Sequence, residues 1–348
     1  MTETLPGSPS LADRDIILKL AFGAMAAQTI RAAIELKVMK VVGELPRKAA
    51  DVAAEVGVPD TEMIRLLRVL SSLGLLQEEM AGLFSVTSAG RLLDGGDVHS
   101  MESFVRLYTD PTILRPWDHL VESLKTGHVA FDAMYGHNFW THLAEDPQLS
   151  TVFNDAMSQA VQRTAVAVPN AFDFGQFGSV TDVGGGDATL LAHVLTAFEE
   201  LRGVVFDNAE GLSHAAETIA QRGLSDRCEV APGDALESVP PGSDVYILKS
   251  VLHVFADDLA VTILRHCRDV LPPSGRVLII EPVLPETVDA HTDTTAYLSD
   301  LNMLVNVGGR ERTRADFEFL CSQANLTITA INPLAEAAPF SLIEAQAD

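Results

Sequence analysis

Up to about residue 165 the apolar positions of the chain recur at helical spacing. From Ile16 to Val42, residues such as Leu18, Ala21, Met25, Ile30, Ala33, Ile34 and Val38 follow i, i+3, i+4 intervals with little β-branched alternation. Residues 48–57 and 60–74 read as two short helices joined by a tight turn. Pro59-Asp60 opens the second, with Asp60 as its N-cap, and Gly74 closes it. A pair of short strands, 75–78 and 83–86, follows around Met80-Ala81-Gly82. Two helices and a hairpin in this order make the winged-helix pattern. Residues 101–164 continue helical and carry a concentration of aromatics.

Near residue 175 the pattern changes. Short β-branched runs at 179–183, 203–206, 228–230, 244–248, 276–280, 326–331 and 340–344 alternate with helix-length segments at 188–197, 210–222, 257–270, 294–305 and 314–324. Such alternation predicts an α/β, Rossmann-like doubly wound sheet, mostly parallel. The short, proline-containing link between the last two strands predicts an antiparallel pair at one edge. Two domains are therefore expected: 1–168, helical and winged-helix-like, and 169–348, the α/β half.

Charge narrows the partners. The chain holds 48 acidic against 24 basic residues, a formal net charge of -24, so nucleic acid and anionic membrane are not expected to bind it. Within the winged-helix pattern the second helix offers only Arg65 and Arg68, and the hairpin carries Glu78 and Glu79. A recognition helix needs more phosphate-neutralising groups, so a packing or dimerisation module is favoured over DNA reading. Cys228, Cys267 and Cys321 are scattered without a CxxC, which argues against a disulfide framework or zinc knuckle. The polar, acidic start of the chain does not read as a signal peptide, and charged residues break every apolar run well short of a membrane span. A cytoplasmic protein is expected.

The first strand of the α/β half runs into Asp182-Val183-Gly184-Gly185-Gly186-Asp187-Ala188. Glycines at a strand-to-helix turn let the backbone bend sharply and approach a ligand. The dinucleotide pattern G-x-G-x-x-G fails at Thr189, and no Gly-Lys-Ser/Thr follows. An adenosine ligand without phosphate fits better. Asp207 ends the second strand, where an acid can accept ribose hydroxyls, and Asp234 ends the third, where it can accept from an adenine amino group. A cationic adenosine ligand, the sulfonium S-adenosyl-L-methionine, suits these acids.

The stretches TDVGGGDATLL, GVVFD, APGDALESVPPGSDVYILKSVLHVFADD, GRVLIIEPVLP and LSDLNMLVNVGGRERT lie in order across about 175–320. In them the chain resembles the class I S-adenosylmethionine-dependent small-molecule O-methyltransferases, the caffeate/hydroxyindole type with a winged-helix dimerisation domain. The resemblance implies a homodimer. It implies that Gly184, Gly186, Asp207 and Asp234 bind the cofactor, with Asp182, Ala235 and Phe255 at the same site and Lys249 lining the adenosyl pocket. It places the general base on His253, supported by Asp300 and Glu311, with no metal required. A histidine with a reference pKa near 6.5 suits deprotonation of a phenol near neutral pH.

Three positions depart from the family pattern. Ala188 stands where glycine is usual, His253-Val254-Phe255 replaces His-Asp-Trp, and Asn208-Ala209 replaces Leu-Pro. The loss of an acid at Val254 leaves other readings open at this point. One is non-methylating chemistry on the same cofactor, such as hydroxylation, decarboxylation or a pericyclic reaction. Another is metal-assisted C-methylation with His253 and His291 as ligands. A third is a winged-helix regulator with a ligand-sensing domain. For methyl transfer, Tyr135, Phe139, Trp140, Phe153 and Met157 with Met303, Leu304 and Asn306 are expected to line an apolar pocket for a flat aromatic acceptor such as a polyketide or phenol, about half of them serving packing instead.

Overall fold

The computed structural model describes residues 11–97, 99–289 and 292–348. His291, the second ligand of the C-methylation reading, lies outside the described residues, as do residues 1–10 of the polar start.

The chain divides into two compact units, Met1–Asp110 and Pro111–Asp348. In the first, the long helical stretch is broken in three: Leu11–Ala21, Gly23–Glu35 and Val38–Val42. The first two meet at a 49° bend, and among the described residues no single helix is long and apolar enough to cross a membrane. Lys37 in the left-handed region (φ 53°) separates the second from the third. The helices Ala49–Val56 and Asp60–Ser72 form as expected, but Pro59, with φ at -60°, is the N-cap and Asp60 is already helical. Three strands, β1 (Arg47–Lys48), β2 (Leu76–Met80) and β3 (Leu83–Val86), pair antiparallel in the order β1-β3-β2. Val52, Ala53, Met63, Leu67, Leu70 and Phe84 form the core beneath them. Arg68, one of the two basic groups of the second helix, pairs with Glu78 of the hairpin at 3.3 Å.

The second unit is built on strands β4 (Ser179–Val183), β5 (Arg202–Asp207), β6 (Cys228–Pro232), β7 (Val245–Lys249), β8 (Arg276–Leu284), β9 (Arg312–Thr313), β10 (Leu326–Pro333) and β11 (Phe340–Ala347). Their order is β10-β11-β8-β7-β4-β5-β6, with β9 beside β8. Strands β4 to β9 pair parallel, and β11 runs antiparallel to both β8 and β10. The fold is thus α/β and doubly wound. Val180, Val245, Ile247, Leu278 and Ile280 pack on one face with residues of the helices Pro147–Ala171 and Thr189–Ala197. Val183, Tyr246, Leu248, Val277 and Ile279 pack on the other with residues of Asp257–Val270 and Arg314–Gln323. Burial on both faces is why these strands read as continuous apolar runs.

The division between the units falls at Asp110/Pro111 rather than at residue 168. The reason lies in packing: the long helix Pro147–Ala171 covers the sheet through Thr189–Ala197, and Ala130–Tyr135 packs on Thr294–Asn306. All residues expected at the functional site therefore belong to the second unit.

Candidate active site

Chain order reverses at β4, from which β5 and β6 extend to one side and β7 and β8 to the other. Ligands of such sheets sit outside the carboxyl ends of the strands at this point. Here β4 ends in Gly184-Gly185-Gly186. Gly184 has φ 72°, and a Cβ on it would meet Val251 Cγ2 at 2.6 Å. Gly186, at φ 53°, has nothing within 4 Å of the place a Cβ would take, so the turn opens onto free space. Asp207, at the end of β5, accepts the Gly186 N–H at 3.0 Å and the Asn208 N–H at 2.7 Å. Burial pushes its pKa up, against these two hydrogen bonds. Asp234 is exposed and closes its own turn by accepting from Leu236 N at 2.8 Å, with Ala235 beside it half-buried.

Beneath the turn, Asp182 is buried and its Oδ2 has no hydrogen-bond partner. Burial first, then the charge of Asp207, raise its pKa to about 8, against the attraction of Lys249. Lys249 ends β7 with its ammonium 4.9 Å from the Phe340 ring centre. Burial lowers its pKa to about 8, opposed by Glu281, Asp182 and Glu311. The turn therefore combines an open glycine cradle, acids at successive strand ends and a single lysine. That set fits the hydroxyls and amino groups of an adenosine carrying a positive charge, as S-adenosylmethionine does, whereas carboxylates at successive strand ends would repel a pyrophosphate. Asp187 takes no part in the opening; it accepts from Thr189 N and from the hydroxyls of Thr189 and Ser158. Ala188, standing where glycine is usual, adopts φ 65° with its methyl fully buried in the core, so it does not narrow the cradle.

After β7 the chain passes through Ser250, itself left-handed at φ 55°, into a single 3-10 turn, Leu252–Val254. This turn carries His253. Its Nδ1 lies 2.9 Å from Glu311 Oε1, and that oxygen also accepts the Ser299 hydroxyl at 2.8 Å. A second carboxylate, Glu281 of β8, was not expected from the sequence. Its Oε1 accepts Leu252 N at 3.0 Å and His253 N at 3.4 Å, and its Oε2 stands 3.8 Å from His253 Nδ1. Both Glu281 Oε2 and Glu311 Oε2 are buried without a hydrogen-bond partner. Burial works to lower the His253 pKa, but Glu281 and then Glu311 outweigh it, and the net shift is upward. Burial raises the Glu281 pKa, moderated by His253. The three residues place ligand-type atoms within 4.8 Å of one another; the 2.9 Å contact has the geometry of a hydrogen bond.

Asp300 reaches the backbone of Glu311, accepting its N–H at 2.8 Å, and not the imidazole. It thus holds the backbone of Glu311. Phe255 packs half-buried beside the second core layer. Gly309 is pressed against the His253 turn, where a Cβ would lie 2.0 Å from His253 O.

The eight residues expected at the substrate pocket fall into several groups. Phe139, Trp140 and Phe153 pack edge-to-face within 5.8 Å of one another. Tyr135 joins them through Phe131, and its hydroxyl donates to Thr112 O at 3.4 Å. Asn306 is buried, donates to Asn302 Oδ1 and Ile113 O, and leaves its own Oδ1 without a partner. Met303 is buried on the same helix, and Met157 is half-buried on Pro147–Ala171. Leu304 instead lines a cavity of about 390 Å³ with Asp300, Leu301 and Gly309.

With this geometry established, comparison with known proteins is direct. Residues 117–326 match the O-methyltransferase domain, and 18–94 match the O-methyltransferase dimerisation domain. O-demethylpuromycin-O-methyltransferase of Streptomyces alboniger is 39% identical over 331 residues, covering 94% of this chain and 88% of that protein. The crystal structure of LaPhzM superposes with a TM-score of 0.89 at 32% identity, covering 96% and 99% of the two chains. NcsB1, an O-methyltransferase from neocarzinostatin biosynthesis solved with S-adenosylmethionine and 2-hydroxy-5-methyl naphthoic acid, superposes at 0.74 with 32% identity, covering 92% and 96%. The chain belongs to the S-adenosylmethionine-dependent O-methyltransferase family, and S-adenosyl-L-methionine is its cofactor.

Proposed function

We propose that the protein methylates a hydroxyl of an aromatic small molecule, such as a phenol or polyketide, with His253 as general base. The observation that carries this reading is the 2.9 Å contact between His253 Nδ1 and Glu311 Oε1. With Nδ1 committed to a carboxylate, Nε2 is left to accept the proton of the substrate hydroxyl. Glu311 fixes the tautomer and steadies the imidazolium once it forms, the role a buried acid plays in a catalytic triad. Ser299 and the Asp300 acceptor hold Glu311 in place. Gly184, Gly186, Asp207 and Asp234 would hold the cofactor, with Asp182, Ala235, Lys249 and Phe255 around it. S-adenosylmethionine supplies an electrophilic methyl group on a sulfonium. Proton removal by a placed base is typically worth about 10²–10⁴-fold, and alignment of the acceptor adds at least as much.

Aromatic acceptors are named for several relatives, the naphthoic acid bound to NcsB1 among them. In this chain the half-buried Tyr135, Phe153 and Met157, the partly exposed Trp140 and the unpartnered Oδ1 of Asn306 suit a flat apolar ring with a hydrogen-bond donor at one edge. We place the enzyme in the cytoplasm, in keeping with three buried free cysteines. The test of the base is His253→Ala. Methylation of a phenolic acceptor should be abolished while S-adenosylhomocysteine still binds by calorimetry. A variant that kept full turnover would remove His253 from this role.

A further inference from the structure

The turn that carries His253 is held from two sides. On its amide side Glu281 Oε1 takes the N–H groups of Leu252 and His253. On its carbonyl side Arg312 Nη1 donates to Leu252 O at 2.7 Å, and Nη2 donates to Phe255 O at 2.9 Å. The guanidinium is also met by Asp257 Oδ1, at 3.1 Å from Nε and 2.8 Å from Nη2, and makes a longer bond to Arg310 O at 3.4 Å. Arg312 is among the largest fully buried side chains of the protein.

The turn needs such support. It is one 3-10 turn entered through a left-handed Ser250, a conformation that is strained for a non-glycine residue. Arg312 follows Glu311 directly in the chain, and β9 pairs with β8, the strand of Glu281, at Val283↔Arg312. One side chain therefore ties the backbone that presents the base to the backbone that presents its acid. Burying a cation is costly, and an apolar residue of similar volume is often as good for stability. A planar fork of donors reaching two carbonyls and a carboxylate at once is something lysine cannot reproduce.

We propose that Arg312 is a positioning residue for methyl transfer: by bridging the carbonyls of Leu252 and Phe255, its guanidinium sets the separation of His253 from Glu311. This rests on the reading of His253 as the base. Displacing a reacting group by about 1 Å can cost about 10²-fold in rate. Arg312→Lys should therefore lower kcat by about 10²-fold while the KM for the acceptor and the affinity for S-adenosylhomocysteine stay near those of the parent. Methylguanidinium should restore part of the kcat of Arg312→Ala. By NMR, the imidazole of His253 in Arg312→Lys should lose its upward displacement from 6.5, because the glutamates no longer lie against it. Should the Arg312 variants fail to fold, Asp257→Asn, which loosens the guanidinium from a partly exposed position, should give the same signature in weaker form.

A lowered melting temperature with unchanged kcat and unchanged His253 titration, in whichever of these variants folds, would make Arg312 a purely structural residue and overturn the proposal. The two readings fail separately. Full turnover in His253→Ala would remove the base, whereas the imidazole titration in the Arg312 and Asp257 variants reports on positioning whatever the imidazole does.

Discussion

A histidine edge that faces two carboxylates has its proton affinity decided by competition. Burial lowers the pKa of His253, Glu281 and Glu311 raise it, and the carboxylates win. In the proposed role the imidazole must be neutral to accept a proton, so kcat should fall as pH drops through a value above the ordinary 6.5. Glu281→Gln keeps an oxygen for the Leu252 and His253 amides but removes one of the charges that lift the imidazole. The acid limb of the pH–kcat profile should then move to lower pH, with a plateau lowered by about tenfold or more because Nδ1 meets a new amide donor. A limb that stayed in place would mean Glu281 carries no charge at working pH. At this scale position is legible where residue type and strand end coincide: His253, Asp207 and the glycines stand at the strand ends where the sequence puts them. Glu281 and Arg312 are not, because each acts through a long side chain turned into the interior. A single Glu within the apolar run Val277–Val283 is the one signal that marks the first. Asp300 stands in the expected neighbourhood, and the partner it takes there, Glu311 N, is a backbone group that residue type alone does not disclose.

Between elements, the active site depends on close approach of two turns that the chain separates by more than fifty residues. Gly309 lets its loop touch the His253 turn, and the obstacle to a larger residue is backbone, His253 O at 2.0 Å and Val254 C at 2.5 Å. Backbone cannot rotate away as a side chain can, so Gly309→Ala must push the turns apart. Activity should drop by about 10²-fold with a lower melting temperature, while binding of S-adenosylhomocysteine is retained, since the glycine cradle belongs to β4 and β5. Loss of binding together with activity would show that the two halves of the site are not independent. Element boundaries in the α/β half were legible because burial on both faces leaves uninterrupted apolar strands between helical periods. The N-terminal helix was less so. The helical period runs on through Gly23 and Lys37, and a bend or a left-handed residue leaves no trace in hydrophobic spacing. The unit boundary misled for a similar reason, because helices of both units share one period and only their packing tells them apart.

For the molecule as a whole, the helices Leu11–Ala21 and Gly23–Glu35 leave Leu11, Ile16, Ile17, Leu18, Leu20, Phe22 and Met25 between 53% and 81% exposed. So many large apolar side chains left exposed within fifteen residues are unusual on a monomer, and residues 18–94 match a dimerisation domain. We therefore expect a homodimer closed by this face, self-complementary about a two-fold axis. The charge of -24 on each protomer opposes that association, since the two surfaces repel at separations within a Debye length, about 10 Å at 0.1 M salt and about 30 Å at 0.01 M. Apolar burial and charge repulsion respond to salt in one direction: raising it screens the repulsion and leaves the apolar contact intact. Sedimentation should accordingly show a dimer that tightens as salt rises from about 0.01 M to about 0.1 M. The double substitution Ile17→Glu with Leu20→Glu should yield a folded monomer under both conditions. If association instead weakened with salt, ion pairs would be holding the interface. A double variant that stayed dimeric would place the contact elsewhere on the surface.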